Sequence, residues 1–325
     1  MRQRASTKDT VRFRLRLPHQ FGQDRGFAIV LVLWIAGVLA VMANSLSVSV
    51  RTEIRVAANL IEGAKAEALA NGGVNLAIRD LLAAHRPRGY VRRFPIDGSP
   101  VRCVIPREGV LTIAVIDEAA KIDVNAAGLP LLQTLLTGLG EPPDKAAQLA
   151  EAILDFRDAD DDRQPNGAEA AEYRAAGLAW LPKNGRVQSL SELGQVYGMM
   201  PEHLSRIRPY LGTHSGLAGI DVTLASTELM HLVRKGIGAQ PVTRGFPEFH
   251  SDVALPAIFV SASRRNVFQV IAEARTSAGA LFVLEAVVSL NPPHAPRPTL
   301  LRWTRGENLP PTDKNIVPIS RPPFC

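Results

Sequence analysis

The densest chemistry in this 325-residue chain is carboxylate. The run DFRDADDDRQPNGAEAAEY places Asp155, Asp158, Asp160, Asp161, Asp162, Glu169 and Glu172 within 18 residues. Like charges this close repel unless water solvates them or a cation neutralises them. Asp158, Asp160 and Asp162 alternate, and Glu169 falls twelfth counting from Asp158, which is EF-hand spacing. The sixth position, where the EF-hand turn needs Gly, is Arg163, so the motif itself is absent. Carboxylates, Asn166 and backbone carbonyls nevertheless form the oxygen set that suits a hard cation, Ca²⁺ first among them. A solvated acidic loop fits the same spacing.

Little else in the chain suggests a reacting centre. G-x-S-x-G, H-E-x-x-H and the P-loop are all missing, and the seven histidines are scattered. The expectation is a chain that is not an enzyme. The two cysteines, Cys103 and Cys325, form no CxxC pair, which excludes a zinc ribbon or a thioredoxin-like site. A disulfide between them is open to an exported chain. The formal charge of +6 is concentrated at the start, where residues 1–26 hold seven Arg/Lys against two Asp. The remainder is nearly neutral and offers no general attraction to a phosphate backbone.

The elements that must carry the acidic loop begin with a long helix. Residues Phe27 to Val50 contain no charge, and their length suffices to cross a bilayer. Three readings compete. The run is a signal peptide cut after Val41-Met42-Ala43, an uncut signal anchor, or a helix whose basic leader is removed before the apolar residues. The continuation favours keeping the helix. Val50, Ile54, Ala57, Ile61, Ala64 and Ala68 recur at helical steps, and no proline interrupts residues 27–86. Gly72-Gly73 is the one place where a kink is expected. VRCVI (101–105) and VLTIAVI (110–116) read as a hairpin. NVFQVIAEARTS, ALFVLEAVVSL and PTLLRWTR read as further strands.

Between the strand groups, about 122–238 reads as helical. Pro130 fits a first turn, Asp144 a cap, and Ser189-x-x-Glu192 a capping box for a helix ending at Gly198. The fold class is therefore α+β, with a sheet split by a helical insertion. An internal echo is visible within it: IDVNAAGLPLLQTLL (122–136) and IDVTLASTELMHLV (220–233) share residues in register, with Ser226 capping the second helix. Each copy is followed by a Gly-x-Gly, at Gly138 and Gly140 and at Gly236 and Gly238. This pattern resembles a helix-hairpin-helix, which leaves a membrane-anchored DNA-binding protein as the alternative function. The near-neutral charge and Glu141 beside the first hairpin oppose it, and simple helix ends explain the glycines equally.

Taken together, RGFAIVLVLW, RTEIRVAANLIEGAKAEALANGGVNLAI, IDEAAKIDVNAA, AILDFRDADDDRQPNGAEAAEYRAAGL and NGRVQSLSELGQVYGM resemble the minor pseudopilin K family (GspK) of bacterial type II secretion. They cover most of residues 25–213, and the likeness beyond about 240 is loose. The resemblance implies a type IV pilin-like fold, with a long N-terminal helix on an antiparallel sheet and a helical domain inserted between strands. The implied divisions are a cleaved basic leader (1–26), the transmembrane and amphipathic helix (27–88), the first sheet part (89–121), the inserted helical domain (122–238), the remaining strands (239–305) and a Pro-rich tail (306–325).

The family further implies cleavage by prepilin peptidase between Gly26 and Phe27, with methylation of the new amine. The implied location is the inner membrane, single-pass, with a periplasmic C-terminal domain. Minor pseudopilins I and J at a pseudopilus tip, other pseudopilins and the membrane assembly platform are the implied partners; nucleic acid is not among them. Calcium is implied in the acidic loop. Mapped by motif, Asp158, Asp160, Asn166, Glu169 and Glu172 are its candidate ligands, with Asp155 and Asp162 also open. Leu31 stands at position five of the cleaved chain, where most pilin-like proteins carry a glutamate that offsets a neighbour's terminal amine. In lipid an unpaired charge is costly, so an apolar residue there suits a subunit with no neighbour above it, and we expect a tip or initiating role.

Overall fold

A computed structural model describes residues 25–84, 91–238, 255–290, 298–306 and 317–318. The leader before Arg25, Cys325 and most of the Pro-rich tail lie outside the described residues. Helix α1 runs from Arg25 to Ala84. Its first part is apolar all round, with Phe27, Leu31, Trp34 and Leu39 exposed. This helix is long and apolar enough to cross a membrane.

From Ile61 on, the chain forms one compact unit. In it, Ala70, Val74, Ala77 and Leu81 of α1 share a core with Leu111, Ile113, Val115, Val270, Ala272 and Ala274. These strand residues alternate along β2 (Gly109–Asp117) and β5 (Val267–Thr276), as the period-two pleat requires. Helical structure is unbroken through Gly72-Gly73. The helix continues, and a Cβ on Gly73 would stand 2.9 Å from Leu111 Cδ1 and 3.2 Å from Ala272 Cβ. Glycine here lets the helix lie close on the sheet.

The sheet also contains β1 (Val101–Ile105), β6 (Leu281–Ser289), β7 (Thr299–Arg305) and β8 (Val317–Pro318). The strand order is β7-β6-β5-β2-β1-β8, and every pairing is antiparallel except that of β1 with β8. The chain leaves this sheet after β2 and returns with β5. The hairpin and the three later strands expected from the sequence are all present. Cys103 on β1 is buried and disulfide-bonded.

Among the described residues, the excursion holds short β3 (Ile122–Asp123) and β4 (Leu211–Gly212), paired in parallel, and five α-helices. These are α2 (Leu129–Gly138), α3 (Pro143–Arg157), α4 (Ala170–Ala175), α5 (Pro201–Ile207) and α6 (Thr227–Gly236). A second core unites α2, α3, α5 and α6, built on Leu132, Leu135, Leu149, Ile153, Phe156, Leu193, Ile207, Leu229 and Val233. Each such side chain contributes roughly 1.5–3 kcal/mol by leaving water. Two boundaries differ from the sequence reading. Asp144 is not the cap of α3: Pro142 occupies that position and Pro143 opens the helix, because a proline's fixed φ is already helical. The Ser189 capping box forms, with Glu192 Oε1 accepting from the Ser189 N–H at 3.1 Å, but it opens a 3₁₀ turn that stops at Gln195.

The internal repeat is real at the level of hydrogen bonds. Asp123 Oδ1 accepts from the N–H two residues on at 2.8 Å, and Asp221 Oδ1 does the same at 2.9 Å. Five residues later, Gly128 and Ser226 occupy the cap positions of α2 and α6. The two helices then cross through their glycines. A Cβ on Gly138 would lie 2.1 Å from the Leu232 carbonyl oxygen, and one on Gly236 would lie 2.0 Å from that of Thr134.

Candidate functional site: the acidic loop

Helix α3 delivers the first acids because its apolar face is fully engaged in the core. Asp155 is buried, and its carboxylate accepts from the Gln164 N–H at 3.2 and 3.3 Å. Glycine is required opposite it, since a Cβ on Gly167 would stand 2.0 Å from Asp155 Oδ2. Arg157, in the last turn, donates to the Ala127 carbonyl at 2.6 Å and to that of Val124, tying the end of α3 to the chain after β3. Asp158 ends the helix in an extended conformation, which starts the loop.

The candidate ligands then separate into two groups. Asp158 Oδ1 and both oxygens of Glu169 are buried and have no hydrogen-bond partner. Glu169 is only 5% exposed. Asp160 stays in the loop, its Oδ1 accepting from the Asp162 N–H at 3.0 Å. Asn166 and Glu172 are engaged elsewhere. Asn166 donates its N–H and its Nδ2 to buried Glu151, at 2.6 and 3.0 Å. Glu172 Oε2 accepts from the Glu169 N–H at 2.9 Å, and its Oε1 lies 3.4 Å from Arg163 Nε.

One participant is absent from the sequence reading. Asn184 reaches across from a later segment and donates Nδ2 to the Asp160 carbonyl at 3.1 Å and to Asp161 Oδ1 at 2.9 Å. Its own Oδ1 is buried without a partner. The sole signal for it in sequence was Asn-Gly, a turn dipeptide in which Asn tolerates positive φ; its φ here is 46°.

The electrostatics follow from this crowding. Burial, and then the neighbouring charges of Asp155, Asp158, Asp161 and Asp160, push the Glu169 carboxyl up to about 7. Burial also raises Asp155 and Asp158. Among the described residues no group of three or more His, Cys, Asp or Glu side chains is gathered as a metal site. The unpartnered oxygens come from two carboxylates and an amide. That mixture is an oxygen set for a hard cation rather than a cluster of one residue class.

A long apolar N-terminal helix, an antiparallel sheet and a helical excursion with an acidic loop define the class: a mixed helix and antiparallel-sheet chain whose first helix is long and apolar enough to cross a membrane. The comparisons narrow it. Residues 111–213, from β2 through β4 and including the whole loop, match the family described as "Type II secretion system (T2SS), protein K". Type II secretion system protein K of Klebsiella pneumoniae is 29% identical over 205 residues, 58% of this chain. That of Pectobacterium carotovorum subsp. carotovorum is 30% identical over 124 residues, 37% of this chain and 38% of the relative. The match spans less than two thirds of the Klebsiella relative's length, 62%. A chain of the GspK-GspI-GspJ complex from enterotoxigenic Escherichia coli shares the fold. Its TM-score is 0.53 at 18% identity, over 79% of this chain and 99% of that one. The resemblance to the protein K family read from the sequence is thereby shown.

Proposed function

We propose that this chain is a minor pseudopilin of the type II secretion system, acting as a structural subunit at the pseudopilus tip. The observation that carries it is one continuous chain feature. Helix α1 includes the apolar residues from Phe27 and also Ala70, Val74 and Ala77, which cover the sheet, and the protein K stretch begins at residue 111 on β2 of that sheet. In this reading the sheet and α1 are the pilin-like part, and the helices between β2 and β5 are the insertion. The soluble part faces the periplasm and α1 is held in the inner membrane. Minor pseudopilins I and J are the partners; the likeness to a chain of the GspK-GspI-GspJ complex supports them. Leu31 supports the tip position, since an apolar side chain there asks for no neighbouring amine.

The acidic loop suits Ca²⁺. The unpartnered buried oxygens of Asp158 and Glu169 fit a hard cation, and Asp160, two residues beyond Asp158 and acting on Glu169 electrostatically, is the loop acid we assign to complete them. A bound ion supplies the positive charge that lets these carboxylates stay ionised together. The chain's own contribution is to hold them in place: Asp155 and Glu151 anchor the loop backbone, and Arg157 anchors the helix end.

Mass spectrometry of the mature N-terminus tests the functional reading. It predicts a methylated Phe27. A chain beginning at Asn44 would overturn it. For the tip role, Leu31→Glu is expected to lower secretion, with site-specific crosslinks from the wild-type soluble part confined to subunits below it. Unchanged secretion, together with crosslinks to subunits on both sides, would refute the tip position.

A further inference from the structure

We infer that Asn184 supplies a third protein oxygen to the cation site, so that the ion ties the segment around residues 177–187 to the acidic loop. The inference rests on the proposal that the loop holds Ca²⁺. Three observations support it. First, the orientation of the Asn184 amide is determined. Its Nδ2 donates to the Asp160 carbonyl and to Asp161 Oδ1, and a flipped amide would aim oxygen at two acceptors. Second, the Oδ1 thus presented is buried and has no partner, a state that costs free energy unless something else satisfies it. Third, the other unpartnered oxygens near the loop belong to Asp158 and Glu169. Asp158, Asp160 and Asp161 are close enough to Glu169 to act on it electrostatically. Asn184 is hydrogen-bonded to the latter two. The unpartnered oxygens thus come from the end of α3, the start of α4 and the chain before Val187, and the Asn184 contacts to Asp160 and Asp161 tie the last of these segments to the acidic loop. Amide carbonyls are ordinary Ca²⁺ ligands.

The consequence is mechanical. Asn184 sits in left-handed backbone between Lys183 and Arg186, in the segment that exposes Trp180 and Leu181. An ion shared across the two segments would order that surface as it binds.

Calorimetric titration of the full chain in detergent micelles with Ca²⁺ alone tests this, using Asn184→Gly and Asn184→Asp. Glycine keeps the positive φ and removes the amide. Aspartate keeps an oxygen but loses the Nδ2 donor. We expect Asn184→Gly to weaken Ca²⁺ binding about tenfold or more, and Asn184→Asp to bind at least as tightly as wild type. Tryptic cleavage after Lys183 and Arg186, read by mass spectrometry, is expected to slow with Ca²⁺ in wild type and Asn184→Asp but not in Asn184→Gly. If wild type binds and Asn184→Gly matches it, the inference fails and the calcium reading stands. Weakening by both variants would assign Asn184 a purely structural role, again overturning the inference. A flat wild-type titration would remove the calcium reading and the inference with it.

Discussion

Glu169 shows how a single residue can make the stability of this chain depend on both pH and metal. Its carboxyl titrates at about 7, above the ordinary 4.5, so between these values the folded chain holds a proton that the unfolded chain has released. Stability without metal therefore falls as pH rises through that window, by on the order of 3 kcal/mol for this group. Asp155 and Asp158, raised in the same direction, add to the fall. Thermal midpoints measured in chelator at pH 5 and pH 7.5 are expected to show the loss. Calcium should abolish it, and Glu169→Gln should reduce it; midpoints that rise with pH in chelator would contradict this account. Gly167 belongs to the same scale. Gly167→Ala would press a methyl group into Asp155 and is expected to cost about 1–3 kcal/mol, seen as an earlier urea midpoint.

At the scale of elements, the Gly-x-Gly pairs have a structural role. Gly138 and Gly236 let α2 and α6 touch backbone to backbone, while Gly140 and Gly238 take positive φ just beyond the helix ends. Glu141, beside the first pair, is bonded to Arg206 at 3.0 Å. The first glycine of each pair is therefore used in packing between the repeats. Gly138→Ala and Gly236→Ala should each force the two helices apart and cost about 2–4 kcal/mol, beyond any gain in helix propensity. Gly63→Ala is the control. Nothing lies within 4 Å of its added Cβ, so it should be neutral or gain up to about 1 kcal/mol. Equal denaturation midpoints for all three variants would show that the close crossing carries no weight.

At the scale of the whole molecule, the sheet and the helical excursion meet over buried charge. Glu118, just after β2, accepts from Lys121 Nζ at 3.1 Å and from the Thr213 N–H at 3.4 Å. Lys121 also donates to Gln269 on β5. Burial opposes ionisation of Glu118, but the charge and hydrogen bond of Lys121, together with the charges of Arg302 and His214, hold the carboxyl below its ordinary range. Nearby, Ser263 donates to Asp117 at 2.8 Å through its hydroxyl and to Asp221 at 2.8 Å through its N–H, linking the second repeat to the end of β2. Lys121→Met should leave Glu118 buried and unpaired, at a cost of about 3–5 kcal/mol in the unfolding free energy. A change below about 1 kcal/mol would mean that water reaches the pair.

The sequence by itself determined the long helix, the strands, the repeat and the crowding of acids, because each is written in periodicity or composition along consecutive residues. A 3.6-residue stripe, a two-residue alternation and a run of carboxylates need no knowledge of distant partners. The resemblance to the protein K family was equally legible, since it rests on linear motifs. Only the tertiary structure decided what each polar group spends its hydrogen bonds on. Asn166 and Asn184 are the same residue type, 18 positions apart. The first gives its donors to Glu151, while the second bridges Asp160 and Asp161 and turns an unpartnered oxygen inward. The glycines likewise read as helix ends until α2 and α6 were seen to cross through them. Such assignments depend on which segments meet in space, and that is settled by the packing of the core around them.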